Sequence, residues 1–258
     1  MTLRILITND DGVDAPGLAI MREIAAGLSD DVWVVAPDGN QSGAAHRFTF
    51  GHELSLDERE DRVFAVVGGS PADCVVAAMT HVCADRRPDL VLSGVNNGQN
   101  LGDILNCSGT VAGAREGAMH GALGIAISQA VNYEFTREVD WSNSARFGRE
   151  VVEGLLREVD RRDVYFNVNI PFGAPEAVSG IRVVPAQRFA RSPMAYYPSD
   201  NAGKFFISIP KTPAPLDPAH DFHQLMHLRA ITVTPLQLQQ TDHALATDLD
   251  TRLALTTG

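Results

Sequence analysis

Cysteine is scarce and unpatterned. Cys74, Cys83 and Cys107 are the only three in 258 residues, and no two form a C-x-x-C pair. An odd count without close spacing argues against a disulfide framework or a structural zinc site and leaves reduced, mostly buried thiols. No run approaches ~18 uninterrupted apolar residues, so no transmembrane helix is expected. No basic-then-apolar leader precedes the first strand, so no signal peptide is expected and a cytoplasmic location is the default. Positive charge is also short. Lys and Arg number 21 against 32 Asp and Glu, for a net charge of −11, which argues against a duplex nucleic-acid partner while leaving room for a small anion held by local groups. The common nucleotide and hydrolase signatures are absent: no G-x-x-x-x-G-K-[ST] loop, no G-x-G-x-x-G after the first strand, no G-x-S-x-G elbow. There is no internal repeat and no low-complexity segment.

What is present begins at Ile5–Gly12, I-L-I-T-N-D-D-G. A buried strand runs into Asn9, two adjacent carboxylates and a glycine. Strand side chains alternate faces, so Asp10 and Asp11 can converge only where the strand ends. Two unpaired carboxylates there repel each other, and a hard divalent cation relieves the repulsion. Read alone, the stretch fits a turn better, with Asn9 and Asp10 bonding their own backbone and Asp11 capping the next helix. The rest of the chain reverses that order.

Helical spacing follows from Leu18 to Leu28, then a buried strand over Val32–Ala36 ending in the polar loop Pro37–Gly43. Strand, helix and strand in about 35 residues make a βαβ unit and a parallel sheet. Phe48–Leu56 and Val63–Val67 read as shorter strands. Ser70 and Pro71 open a helix over 72–84, with Asp73 explained by capping. Leu90–Ser93 is a strand ending in an Asn- and Gly-rich loop, a small-residue helix starts near Gly109, and Ile125–Ser128 is a strand. An amphipathic helix spans about 141–160 and a strand covers Tyr165–Ile170. Residues 1–184 are thus expected to form an α/β core, a mostly parallel sheet with flanking helices. Residues 185–258 form a C-terminal extension: a proline-interrupted β-hairpin arm at about 185–220, a late strand at about 230–236 returning to the core, and a tail.

Three strands deliver polar residues to one sheet edge, where open parallel sheets bind ligands. Asp10, Asp11, Ser42 and Asn96 are all oxygen donors, a set that suits Mg²⁺, Mn²⁺ or Ca²⁺ and suits zinc poorly. At Ser108-Gly109-Thr110 the free N–H groups and dipole of a helix start favour an anion such as phosphate; a plain Ser108 N-cap on a tightly packed small-residue helix explains the same stretch equally well. His46 and Arg47 could reach a phosphate or ribose, or sit in a solvated loop. His81 and His120 read as core or surface histidines, and Arg115-Glu116 as a solvated helix face.

Six stretches together resemble the SurE family, the stationary-phase survival nucleotidases: I-L-I-T-N-D-D-G-V-D-A-P-G-L (5–18), A-P-D-G-N-Q-S-G (36–43), S-P-A-D-C-V (70–75), S-G-V-N-N-G-Q-N-L-G-D (93–103), S-G-T-V-A (108–112) and T-V-T-P-L (232–236). The resemblance implies a Rossmann-like core for residues 1–184 and a phosphatase of nucleoside 5′- and 3′-monophosphates, in some members also of short polyphosphate. It implies one divalent metal ion per subunit, Mg²⁺ or Mn²⁺, on Asp10, Asp11, Ser42 and Asn96, with Asp10, Asp11 and Asn9 as catalytic residues. It places phosphate on Asn9, Ser108, Gly109 and Thr110, and implies a homodimer or homotetramer built by an exchanged arm. The rival expectation is a non-catalytic metal- or nucleotide-binding protein on the same fold. Cys107 and Asn106 stand where the family has an aromatic and an aliphatic residue, Ala45-His46-Arg47 replaces a more serine-rich loop, and the arm departs most.

Overall fold

The structure, a computed structural model, describes residues 2–133, 136, 138–209 and 215–253. Positions 210–214 of the expected arm and 254–258 of the tail lie outside the described residues. Among those described, a nine-stranded sheet forms the spine. Its first strand, β1 (Arg4–Thr8), is followed by α1 (Pro16–Ala26) and β2 (Asp31–Pro37). The hairpin β3 (Ser55–Glu60) and β4 (Val63–Val67) then leads to α2 (Pro71–Ala77) and β5 (Leu90–Asn97). Next come α3 (Gly109–Met119), β6 (Leu123–Gln129), α4 (Ser142–Glu158) and β7 (Val164–Ile170). The order across the sheet is β3-β4-β2-β1-β5-β6-β7, closed by β11 (Ile231–Gln237) and β8 (Ile181–Val183). The six strands from β4 to β7 are parallel; β3 and β11 run antiparallel to their neighbours β4 and β7.

The alternation of β1 explains the two helical layers. Ile5 and Ile7 pack with Leu18, Met21 and Ile24 of α1 and with Val151 and Val152 of α4. Leu6 points the other way, onto Cys74, Val75 and Met79. Helix α3 lies on that second face with little side chain between it and the sheet: a Cβ at Gly113 would come within 2.7 Å of Ser93 Oγ and 2.9 Å of Thr8 Cγ2. The small-residue pattern of α3 is therefore a packing device.

Several boundaries differ from the sequence expectation. Residues 48–54 are irregular and the strand starts only at Ser55. There the chain is pinned by side chains, since Thr49 donates its N–H and hydroxyl to the Asp73 carboxylate at 3.0 and 2.8 Å. Ser70 and Asp73 form the expected capping box with Pro71 in the first turn. The helix stops at Ala77, however, and a wider π-helical turn carries the chain over Ala78–Val82. The arm contains a separate two-stranded hairpin, β9 (Ala195–Pro198) against β10 (Phe205–Ser208). The short α5 (Asp221–Met226) precedes β11, and α6 (His243–Leu253) ends the described chain. Cys74, Cys83 and Cys107 are all unpaired, the first two buried and the third partly exposed. No described helix is long and apolar enough to cross a membrane.

Candidate active site

The chain leaves β1 toward β2 on one side and returns to β5 on the other, so the sheet's direction of growth reverses between β1 and β5. A crevice opens at the carboxyl ends of strands at such a point. Asn9, Asp10 and Asp11 follow β1, the Ser42 loop follows β2, and Asn96 lies just before β5 ends at Asn97.

Asn9 makes the turn. Its amide donates to Gly12 O at 2.8 Å and accepts from Gly12 N–H at 3.1 Å. Gly12 has a φ of +108°, and a Cβ there would lie 3.2 Å from the backbone of Gly39, so only glycine fits comfortably. Asn9 itself is wholly buried. The turn reading thus holds for Asn9, while the two aspartates diverge.

Asp10 turns toward α3 and is only 4 % exposed. Thr110 donates its hydroxyl to Asp10 Oδ1 at 2.7 Å. Gly109 lies so close that a Cβ on it would stand 2.8 Å from Asp10 Cβ. Burial lifts the Asp10 carboxyl from 3.8 to about 6; the Thr110 hydroxyl opposes the rise, the Asp11 charge adds to it, and the backbone N–H groups of Asp10 and Thr110 oppose it further. Asp11 is half-buried, and its carboxylate accepts from Asn97 N–H at 3.1 Å. Its pKa is raised by burial, against that hydrogen bond. No cationic side chain among the described residues lowers either carboxyl. Two neighbouring carboxylates, one nearly sealed from water, are thus left without a counter-charge, an arrangement that favours a bound cation.

Asn96 arrives through a β-bulge between Gly94 and Asn96. Ser93 lies against α3 and Val95 packs with the α1 layer, so the strand's alternation has moved by one step before Asn96. Asn96 donates its amide to Gly98 O at 2.7 Å, a bond that leaves its carbonyl oxygen available as an acceptor. Ser42 is exposed, on a loop tied to the segment just after β1 by Gln41 N–H donating to Asp10 O at 2.7 Å. Ser108 caps α3 by accepting from Val111 N–H at 3.1 Å, so the plain capping role is present. That role does not remove the helix start's attraction for negative charge. A cavity of about 460 Å³ opens beside Asp11, lined by Pro16, Asn40, Asn97 and Trp141 among others.

Sequence reasoning missed the support behind Thr110. Asn100 donates its amide to Ser128 Oγ at 3.0 Å and lies 3.4 Å from Thr110 Oγ1. Its backbone N–H donates to Asn169 Oδ1, and its carbonyl accepts from the amides of Asn167 and Asn169. The available signal was Y-F-N-V-N-I: two asparagines on one face of a buried strand need partners. The reading of Glu116 as a solvated residue is overturned. Arg115 is partly exposed, but Glu116 is buried, and it holds His46 and His120. Arg47 bonds Gln41 at the surface, and His81 is exposed.

Fold and site together define a Rossmann-like α/β protein with an acidic, oxygen-rich crevice at its switch point. The family model described as Survival protein SurE matches residues 5–192. The chain belongs to the SurE family. A relative from Azorhizobium caulinodans, named 5′-nucleotidase SurE, is 42 % identical over 250 residues, covering 96 % of this chain and 97 % of the relative. One of the same name from Methylobacterium sp. (strain 4-46) is 41 % identical over 244 residues, 93 % and 95 % of the two chains. The crystal structure of the SurE protein from Aquifex aeolicus superimposes with a TM-score of 0.81 at 31 % identity, covering 97 % of this chain and all of that one.

Proposed function

We propose that the protein is a divalent-metal-dependent 5′-nucleotidase that hydrolyses nucleoside 5′- and 3′-monophosphates, and short polyphosphate as a further substrate, in the cytoplasm. The observation that carries the reading is the Asp10–Asp11 pair, partly withdrawn from water, without a cationic partner among the described residues, and with Asp10 set against the start of α3. The residues present fit a hard cation: two carboxylates, the Ser42 hydroxyl and the Asn96 carbonyl offer only oxygen. No cluster of three or more His, Cys, Asp or Glu able to hold a metal occurs among the described residues, so the proposed set rests on two carboxylates completed by a hydroxyl and an amide oxygen.

When bound, Mg²⁺ or Mn²⁺ would neutralise phosphoryl charge and lower the pKa of a water for in-line attack. The chain's own residues do the rest. The Ser108–Gly109 helix start receives the phosphoryl oxygens with its N–H groups and dipole. Thr110 holds Asp10 in orientation, and the Asn100 network holds Thr110. Asn9 shapes the turn that separates the two aspartates. The cavity beside Asp11 has room for a nucleoside. Asp10 or Asp11 as a covalent nucleophile is disfavoured, because lone pairs facing a metal are not free to attack.

The test is phosphate release from a panel of nucleoside monophosphates, with and without chelator. Turnover should vanish with chelator and return with Mg²⁺ or Mn²⁺. Nucleotide binding without turnover under any metal would instead support a non-catalytic binding protein.

The same reading includes a homodimer or homotetramer. The hairpin leaves Tyr196, Tyr197, Phe205, Phe206 and Ile207 half or more exposed, with Phe206 at 60 %. Leu245, Leu249 and Leu253 form an uncovered stripe on α6. Apolar faces of this extent are covered by a second copy when an element is exchanged between protomers. Light scattering should give at least a dimer for the intact chain and a smaller particle when 190–215 is replaced by a Gly-Ser linker. A monomeric intact chain would reject the assembly; an unchanged oligomer in the shortened chain would acquit the hairpin.

A further inference from the structure

Ser42 is the weakest-held member of the oxygen set. It is exposed, and its loop includes Gly43 at φ +79° and Ala45 at φ +51°, the second a conformation that L-residues seldom adopt. Such a loop presents a ligand reproducibly only if its far side is anchored. Upstream it is held by Gln41 N–H on Asp10 O. Downstream, Ala45 N–H donates to Cys107 O at 3.2 Å, and His46 Nε2 donates to Glu116 Oε2 at 2.8 Å.

The Glu116 carboxylate is built to be an anchor. It sits on α3 two turns beyond Gly109 and is 4 % exposed. Its other oxygen accepts from His120 Nε2 at 3.1 Å, within the same helix. A carboxylate this buried must be paired, and two histidines supply the pairing. They differ in what they tie down. His120 fixes the carboxylate to its own helix. His46 fixes the Ser42 loop to the helix whose first turn faces Asp10.

We propose that His46 and Glu116 are positioning residues: their contact clamps the Ser42 loop onto α3 and thereby sets how well Ser42 completes the metal ligand set. The proposal rests on the metal site described under the proposed function. Groups that orient a ligand in this way typically change metal affinity by about 10–100-fold when removed.

The experiment is calorimetric titration of Mn²⁺ into the metal-free full chain. Ser42→Ala and His46→Phe should each weaken Mn²⁺ by roughly tenfold. His120→Ala, which breaks the other half of the same carboxylate's pairing, should leave the affinity at the parent value. His46→Gln, whose amide can still donate to Glu116, should recover most of the loss. Should His46→Phe fail to fold, Glu116→Gln weakens the same contact without changing its shape and carries the same expectation. Parent-like affinity in His46→Phe alongside weakened Ser42→Ala overturns the clamp and leaves the metal site standing. Equal loss in His120→Ala and His46→Phe also overturns it, since the cluster would then act through general stability. Parent-like affinity in Ser42→Ala removes Ser42 from the metal site, and the clamp with it.

Discussion

Asp10→Asn is expected to lower nucleotide hydrolysis by roughly two to three orders of magnitude and, in the same protein, to raise the melting temperature of the metal-free chain at neutral pH. Both effects come from one arrangement. Asp10 is held against the start of α3 with its charge uncompensated, so its carboxyl titrates at about 6 in the fold against 3.8 for the free side chain. That rise corresponds to up to ~3 kcal/mol of destabilisation when the group is ionised. The sign follows from linkage. A carboxyl whose folded pKa is raised destabilises the fold fully above about 6, and the penalty fades as pH falls toward 3.8. Asparagine keeps an acceptor for the Thr110 hydroxyl and carries no charge. Its amide cannot serve the Thr110 backbone N–H as a carboxylate does, which offsets part of the gain. Calorimetry of parent and variant without metal should therefore show a stability advantage for the variant at pH 8 that shrinks by pH 4. Added Mn²⁺ should stabilise the parent far more than the variant. Unimpaired turnover in the variant would remove Asp10 from the site. A variant no more stable than the parent at pH 8 would show that the buried charge is compensated after all.

Gly109→Ala should cost about 10²-fold in turnover, because a displacement approaching 1 Å at a reacting centre has that effect. The added methyl would stand 2.8 Å from Asp10 Cβ, 3.0 Å from Oδ2 and 3.2 Å from Cγ. These are fixed atoms rather than the end of a flexible side chain. Asp10 is sealed by its neighbours, so the start of α3 must back away from β1, carrying Ser108 and Thr110 with it. The strain should also lower stability by roughly 1–3 kcal/mol, with the chain still folded at 25 °C. Steady-state kinetics on the purified variant, with its melt measured alongside, separates the two effects. Full turnover in a stable Gly109→Ala chain would mean that the contact between the helix start and Asp10 plays no part in catalysis.

Some of this could be read from the chain directly. Ile5–Ile7 run into N-D-D-G, and hydrophobic rhythm changes between strand and helix periods along residues 5–170. Hydrophobic periodicity is a local property, so the βαβ progression, the helix at Gly109 and the strand ends carrying Asp10, Asp11 and Asn96 were all legible. The oxygen-only character of the candidate set was also visible, since it is a matter of residue type alone. The six stretches similar to SurE reached the same residues independently.

What only the tertiary structure decided concerns neighbours distant in sequence. Strand order puts β5 beside β1 and so brings Thr110 onto Asp10, a hundred positions away; no spacing rule contains that contact. Asp10 and Asp11 look equivalent as letters, yet one is sealed beneath α3 and the other half-open beside Asn97, and burial is what separates their protonation. The bulge that re-aims Asn96 leaves no mark in a period-two pattern. Glu116 reads as a solvated helix residue because its partner His46 lies 70 residues earlier, and it becomes a buried anchor only when the loop after β2 folds over α3. Chain periodicity determines which elements form; the order in which the sheet stacks them determines which polar groups lose water, and that loss gives the site its chemistry.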